Sequence, residues 1–200
     1  MLVLRSAGAS PFGRKVRIVA SVLGLDGRIE VMPADTGDPG DSLRTQNPLG
    51  KIPTLILENG EVLFDSGVIV EYLDWLAGGD KIIPNAPEAR FRTLTLQALA
   101  DGICEAAVLQ RYEQVMRASH ERSEKWLAYQ GEKVARALRV LEAAPPSASA
   151  GAGTIATACA LGYLDLRFDG AWRKDHPRLV QWLDRFAAAT PSFEETRFRG

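Results

Sequence analysis

The chain opens on an apolar triplet, Leu2-Val3-Leu4, halted by the small residues Ser6-Ala7-Gly8-Ala9. An apolar run closed by turn formers predicts a short strand. Phe12, Val16, Val19 and Leu23 follow at steps of four, three and four, so they share one helical face, with Arg14, Lys15 and Arg17 off that line. Ser10 at the N-cap and Pro11 at the first helical position suit a helix start. Polar and apolar residues then alternate from Arg28 to Met32 as in a half-buried strand. Strand, helix and strand at this spacing predict parallel pairing through a right-handed crossover. Residues 33–40 read as loop and 41–46 as a short helix. Leu55 to Leu57 and Val62 to Phe64 flank Glu58-Asn59-Gly60, which predicts a hairpin. Asp65-Ser66 opens a helix to Ala77, with Ile69, Tyr72, Leu73 and Leu76 on one face. The resulting order, β-α-β-α-β-β-α, is the thioredoxin-like one.

Beyond Gly79 no strand pattern appears. Residues 80–87, with Pro84 and Pro87, read as a linker, and 88–200 as all-helical. Helices are predicted from Glu88 to about Arg117, from Glu121 to Ala144, and from Pro177 to Ala189. Another spans Thr154 to Leu164, a stretch without a charged residue and therefore expected to be buried all round. The fold class is α/β plus all-α: residues 1–79, a linker, and a helical bundle.

Composition narrows the partners. Of 200 residues 46% are apolar and 24% charged, with net charge −1, so neither nucleic acid nor an acidic membrane is indicated. No apolar run approaches the ~20 residues needed to cross a bilayer. Cys104 and Cys159 lie far apart in helical patterns without C-x-x-C or metal-ligand spacing. A cytoplasmic, disulfide-free protein with no metal is expected. His120 and His176 are isolated.

The segment around the hairpin carries the chemistry. Pro53 stands just before a strand, where its missing N–H breaks no ladder. Ile52 before it is biased to an extended conformation, leaving its N–H and C=O to pair with a bound peptide. Asp65-Ser66 brings a helix N-terminus, which favours anions, to the same place. Taken locally, Ser10 and Ser66 are also helix caps, Asp65 a residue favouring the helix dipole, and Lys51 a solvated loop residue. On the same local reading Asp101 is a helix-surface or dimer-contact residue, and Phe12, Arg111 and Tyr112 belong to the core.

The stretches Ser10-Pro11-Phe12-Gly13-Arg14-Lys15-Val16, Asn47-Pro48-Leu49-Gly50-Lys51-Ile52-Pro53 and Phe64-Asp65-Ser66 with Ile69-Val70-Glu71-Tyr72-Leu73 together resemble a cytosolic glutathione transferase. The likeness is to the small bacterial type. Ala100-Asp101-Gly102 and Pro177 to Leu183 extend it over nearly the whole chain. It implies a homodimer that uses glutathione as co-substrate, with no other cofactor, against a small hydrophobic electrophile. The family places Tyr, Ser or Cys near the first strand or helix. Here the first Tyr is Tyr72 and the first Cys is Cys104, so Ser10 takes the thiolate-stabilising role, with Ser6 a distant second. Ile52-Pro53 corresponds to a cis-proline turn facing the cysteinyl part, Asp65 and Ser66 to the pair holding the γ-glutamyl end. Lys51 would meet the glycine carboxylate. Asp101 matches an acidic residue that in some classes reaches the partner subunit's ligand. Phe12, Arg111 and Tyr112 are candidates for the electrophile pocket.

Two departures from the family are visible. The buried helix lacks the Ser/Thr-x-x-Asp box at its start, where Gly151-Ala152-Gly153-Thr154 stands, so a weaker start is expected. Ala9 gives Ser10 no neighbouring hydroxyl. The implied activity is conjugation of the glutathione thiolate to electrophiles. A non-catalytic interaction or regulatory domain is the alternative, and a thioredoxin-type redox protein is disfavoured by the missing C-x-x-C.

Overall fold

The computed structural model describes residues 1–199. Four strands form one mixed sheet in the order β2-β1-β3-β4: β1 Leu2–Ser6, β2 Ile29–Pro33, β3 Thr54–Ile56 and β4 Val62–Phe64. β1 and β2 are parallel across α1 (Pro11–Val22), and β1/β3 and β3/β4 are antiparallel. The β-α-β unit and the hairpin therefore stand as the patterning predicts. β2 departs in one respect: Val31 and Met32 are exposed, because this edge strand has a neighbour on one side only.

α2 (Leu43–Gln46) is shorter than expected, and the loop before it is held to β1 by a buried guanidinium. Arg5 donates to Ser42 Oγ (2.8 Å), Gln46 Oε1 (2.7 Å) and Asp41 Oδ1 (2.6 Å). α3 (Ser66–Leu76) packs against α1. The segment 77–86 is pinned in its middle by one carboxylate of α3. Asp74 Oδ1 accepts from the N–H groups of Lys81 (3.1 Å) and Ile82 (2.8 Å), and Ile82 and Ile83 are buried.

The helical half comprises α4 (Pro87–Val115), α5 (Glu124–Ala143), α6 (Ala152–Arg167), α7 (Pro177–Ala189) and α8 (Ser192–Glu195), the last not foreseen from patterning. α6 is buried on every side from Ala152 to Leu161, which the missing charges predict. Its start is better capped than the sequence suggests: Thr154 Oγ1 accepts from Gly151 N–H (2.8 Å), a hydroxyl in place of the absent carboxylate. α6 packs on α1 as well as α4, so one continuous core joins both halves. No helix among the described residues is long and apolar enough to cross a membrane.

α1 is also where patterning misjudged burial. Lys15 is only 1% exposed, and its ammonium bonds both Asp101 oxygens on α4 at 2.7 Å. Arg14 is buried too, against α6 and α8. A helix wedged between two layers has no solvent face along much of its length, so charges off the apolar line are buried and must find partners.

Candidate functional site

Sheet register brings the distant motifs to one place. Thr54 pairs with Phe64, so continuing the ladder sets Pro53 opposite Asp65. Arg5 pairs with Thr54, so the β1–α1 turn carrying Ser10 leaves the same end of the sheet. Lys51, Ile52, Pro53, Asp65, Ser66 and Ser10 thus converge from three segments.

The Ile52–Pro53 peptide is cis. The preceding turn is held by Asn47, whose Nδ2 donates to Lys51 C=O (3.0 Å) and Thr54 Oγ1 (3.1 Å). Among the described residues the Ile52 N–H and C=O make no hydrogen bond, so both remain open to an extended ligand. Lys51 is exposed. Asp65 has φ 68° and ψ 128°, a conformation rare for a residue with a side chain and costing roughly 1–3 kcal/mol. Two hydrogen bonds hold it: Asp65 Oδ1 accepts from Gly67 N–H (2.7 Å), and its C=O from Ile69 N–H (3.0 Å). This turn leaves the Ser66 hydroxyl and N–H without partners among the described residues, although Ser66 is buried. An unused donor pair at a helix N-terminus suits a carboxylate.

Ser10 caps α1 by accepting from Gly13 N–H at 3.1 Å. The cap uses an oxygen lone pair and leaves the O–H free to donate, so capping and thiolate stabilisation are compatible in one side chain. Ser6 does not compete. It is buried under α1, and a Cβ on Gly13 would fall 2.0 Å from its Oγ, so only glycine lets the helix lie there.

Beyond Ser10 lies a cleft of about 250 Å³, lined by Ser10, Arg14, Cys159, Tyr163, Arg173 and Arg197, among others. The candidate pocket residues Phe12, Arg111 and Tyr112 are not in its wall. Phe12 instead packs on the core with its ring 6.0 Å from Lys15 Nζ, and Tyr112 is exposed on the last turns of α4. The α1 face presented to the cleft is the one carrying Arg14, one turn after Ser10. Residues 159–166 of α6 and the C-terminal residues supply the rest; no local motif flags them. Burial pushes the Cys159 thiol up to about 11, so it is a neutral wall residue.

Asp101 stands behind α1, engaged by Lys15 of its own chain. Burial raises its pKa, Lys15 opposes that rise, and Asp65 adds to it. The carboxylate thus lies within electrostatic reach of the Asp65 turn while bound internally.

Comparison with known proteins agrees with this layout. The profile "Glutathione S-transferase, N-terminal domain" matches residues 4–81. An Escherichia coli K12 relative, described as the uncharacterized GST-like protein YibF, is 36% identical over 184 residues, covering 88% of each chain. A glutathione transferase family member from Pseudomonas fluorescens Pf-5, crystallised with bound glutathione, is 43% identical with TM-score 0.91 over 98% of both chains. The same family member has also been seen with S-(propanoic acid)-glutathione, at 42% identity and TM-score 0.87 over 98% of this chain and 99% of that one. A glutathione S-transferase from Methylobacillus flagellatus KT with glutathione bound is 33% identical, with TM-score 0.90 over 98% of this chain and 99% of that one.

Proposed function

From the premise that this chain belongs to the glutathione S-transferase superfamily, we propose that it binds glutathione along Ile52 to Ser66 and transfers its thiolate to a small electrophile. The observation that carries this reading is the convergence of three unused polar groups at one sheet end: the Ile52 backbone, the Ser66 N–H and hydroxyl, and the Ser10 O–H. Relatives that hold glutathione or S-(propanoic acid)-glutathione support the same ligand here.

Ile52 pairs with the cysteinyl backbone as an added strand would. Ser66 takes the γ-glutamyl carboxylate, Asp65 faces the ammonium, and Lys51 meets the glycine carboxylate. A free thiol has a pKa of about 8.5, so only a few per cent is ionised at neutral pH. A hydroxyl donating to the thiolate is worth about 1.5–3 kcal/mol, one to two decades in thiolate population. Ser10 supplies that donor, and the α1 N-terminus adds favourable potential. The thiolate then attacks an electrophile seated in the cleft beyond Ser10.

A cytoplasmic homodimer is part of the same reading. Val68, Trp75 and Phe91 are exposed although apolar, and an apolar groove between α4 and α5 includes Phe91, Leu96, Leu99 and Val140. Light scattering on the purified protein tests it. Asp101, committed to Lys15, acts on the ligand through the field it sets at the Asp65 turn; reach into a partner's site is not needed for that.

The deciding experiment is retention on immobilised glutathione followed by turnover of 1-chloro-2,4-dinitrobenzene. Retention with turnover is expected. Retention without turnover favours the non-catalytic interaction domain, and loss of both sinks the ligand assignment.

A further inference from the structure

Glutathione lying along Ile52 to Ser66 leaves the cleft beyond Ser10 to the second reactant, and the charges in its wall restrict what that reactant is. The lining holds three cations, Arg14, Arg173 and Arg197, and one carboxylate, Asp165. Asp165 is already saturated. Arg173 donates to both its oxygens (2.8 and 2.6 Å), and the Trp172 indole N–H donates to Oδ1 (2.8 Å). Arg197 pairs at the surface with Glu194 at 2.8 Å, both about half exposed, where an ion pair counts for little.

Arg14 is different. It is 8% exposed and has no acidic partner among the described residues. Its Nη2 donates to Phe193 C=O (2.5 Å), its Nε to Thr196 Oγ1 (3.4 Å), and the guanidinium stacks 4.1 Å above the Phe193 ring. The remaining nitrogen, Nη1, makes no hydrogen bond. It lies against Gly162, where a Cβ would come within 2.5 Å, so the guanidinium reaches the cleft wall because residue 162 has no side chain. Burial lowers the Arg14 pKa; Cys159 and the Glu194 carboxylate oppose that, and Arg197 adds to it. A buried cation with a spare donor and no acidic partner of its own among the described residues is a socket for an anion.

We infer that the electrophile carries an anionic group, a carboxylate in the simplest case, held by Arg14 with Arg197 at the mouth of the cleft. The inference rests on the transferase reading above and names its substrate class. The volume fits: a cavity of about 150 Å³ holds benzene, so about 250 Å³ takes one ring with substituents. For an aryl chloride bearing a carboxylate, the thiolate sulfur donates its electron pair to the carbon carrying chlorine. The C–S bond forms, the charge passes into the ring and its nitro group, and the C–Cl bond breaks with chloride leaving on that pair. No oxidant or additional proton is required.

The first test is binding. Titrated into the glutathione-loaded protein, 3-nitrobenzoate is expected to bind about tenfold tighter than the neutral 3-nitrobenzamide, as one charge-assisted contact provides. Arg14→Gln is expected to abolish the preference, and the surface change Arg197→Gln to reduce it about threefold. Equal binding of the two probes by the wild type overturns the inference. Should Arg14→Gln fail to fold, a preference unmoved by Arg197→Gln and by added salt overturns it equally. The second test is turnover of 4-chloro-3-nitrobenzoate against 4-chloro-3-nitrobenzamide, each rate divided by its uncatalysed reaction with glutathione. A higher ratio for the carboxylate is expected, and a lower one removes the substrate class. 1-Chloro-2,4-dinitrobenzene, which has no carboxylate, separates the two readings. Its turnover without a benzoate preference sinks the anion subsite alone. A benzoate preference with no turnover of any chloride sinks the transferase reading and with it the substrate assignment.

Discussion

The two sides of Ser10 are built on different principles. On one side the ligand groups are backbone or nearly so: the Ile52 N–H and C=O, and the Ser66 N–H and hydroxyl. They are aimed by a cis peptide and by a strained turn at Asp65. Such a site recognises the one feature every peptide shares, and its residues flank a single hairpin, from Ile52 to Ser66. On the other side the groups are long side chains gathered from α1, α6 and the C-terminal residues. A wall of that kind can change its ligand by a single substitution without disturbing the sheet. On the reading proposed above, the contrast teaches that the co-substrate half is fixed by main-chain geometry, whereas the electrophile half is set by side chains that separate elements bring together.

The sharpest way to break this comparison is at the joint between the two halves. Lys15→Met leaves the half-buried Asp101 without its cation and is expected to cost about 3 kcal/mol in urea unfolding. Adding Asp101→Leu should restore most of that loss. If the single change costs under about 1 kcal/mol, the pair is not the fastening that its burial implies.

Ser66→Ala probes the backbone side. Losing a hydrogen bond to a carboxylate is expected to weaken glutathione binding about 10–100-fold by calorimetry, with little change in stability. An unaltered affinity would place the γ-glutamyl end elsewhere.

Ser10→Ala separates positioning from chemistry. Glutathione affinity should hold, while kcat/KM with 1-chloro-2,4-dinitrobenzene falls about 10–100-fold and the pKa of the bound thiol rises by about one to two. Loss of the cap alone costs about 0.5–2 kcal/mol of stability and leaves the thiol pKa where it was, so ultraviolet titration of bound thiolate distinguishes the two roles.

The smallest expected effect is in acid. Hydrogen bonds from the Asp35 and Leu43 N–H groups, and then from Arg5, hold the Asp41 carboxyl below its ordinary range. A depressed carboxylate adds stability above its unfolded pKa of about 3.9 and loses it as pH falls through the lower folded value. Acid should therefore free the loop before α2 only below the ordinary carboxylate range, and Asp41→Asn should flatten that part of the stability profile. A slope identical to wild type would remove Asp41 from the account.

Legibility in the sequence follows the same division. The element order, the hairpin and the all-round burial of α6 were readable because each rests on a local rule: alternation, helical period, a cap, a turn. Ser10, Ile52, Pro53, Asp65 and Ser66 stand out by caps and turns, and the sheet register brings them to one end. The family resemblance also offered Phe12, Arg111 and Tyr112 as pocket residues, whereas the cleft beside Ser10 is lined by others. Nor did helical period reveal that Arg14 and Lys15 are buried, since periodicity separates an apolar stripe from the rest but says nothing of a helix covered on several sides. Lys15 met Asp101 across 86 positions of chain, and Arg14 met Phe193 across 179. Sequence by itself determined which segments are strands and helices and where the Ile52–Pro53 turn lies, because those depend on interactions within a few residues. Only the tertiary structure decided which charges are buried together and which side chains line the cleft beside Ser10, because packing α1 between α4, α6 and α8 sets those distances.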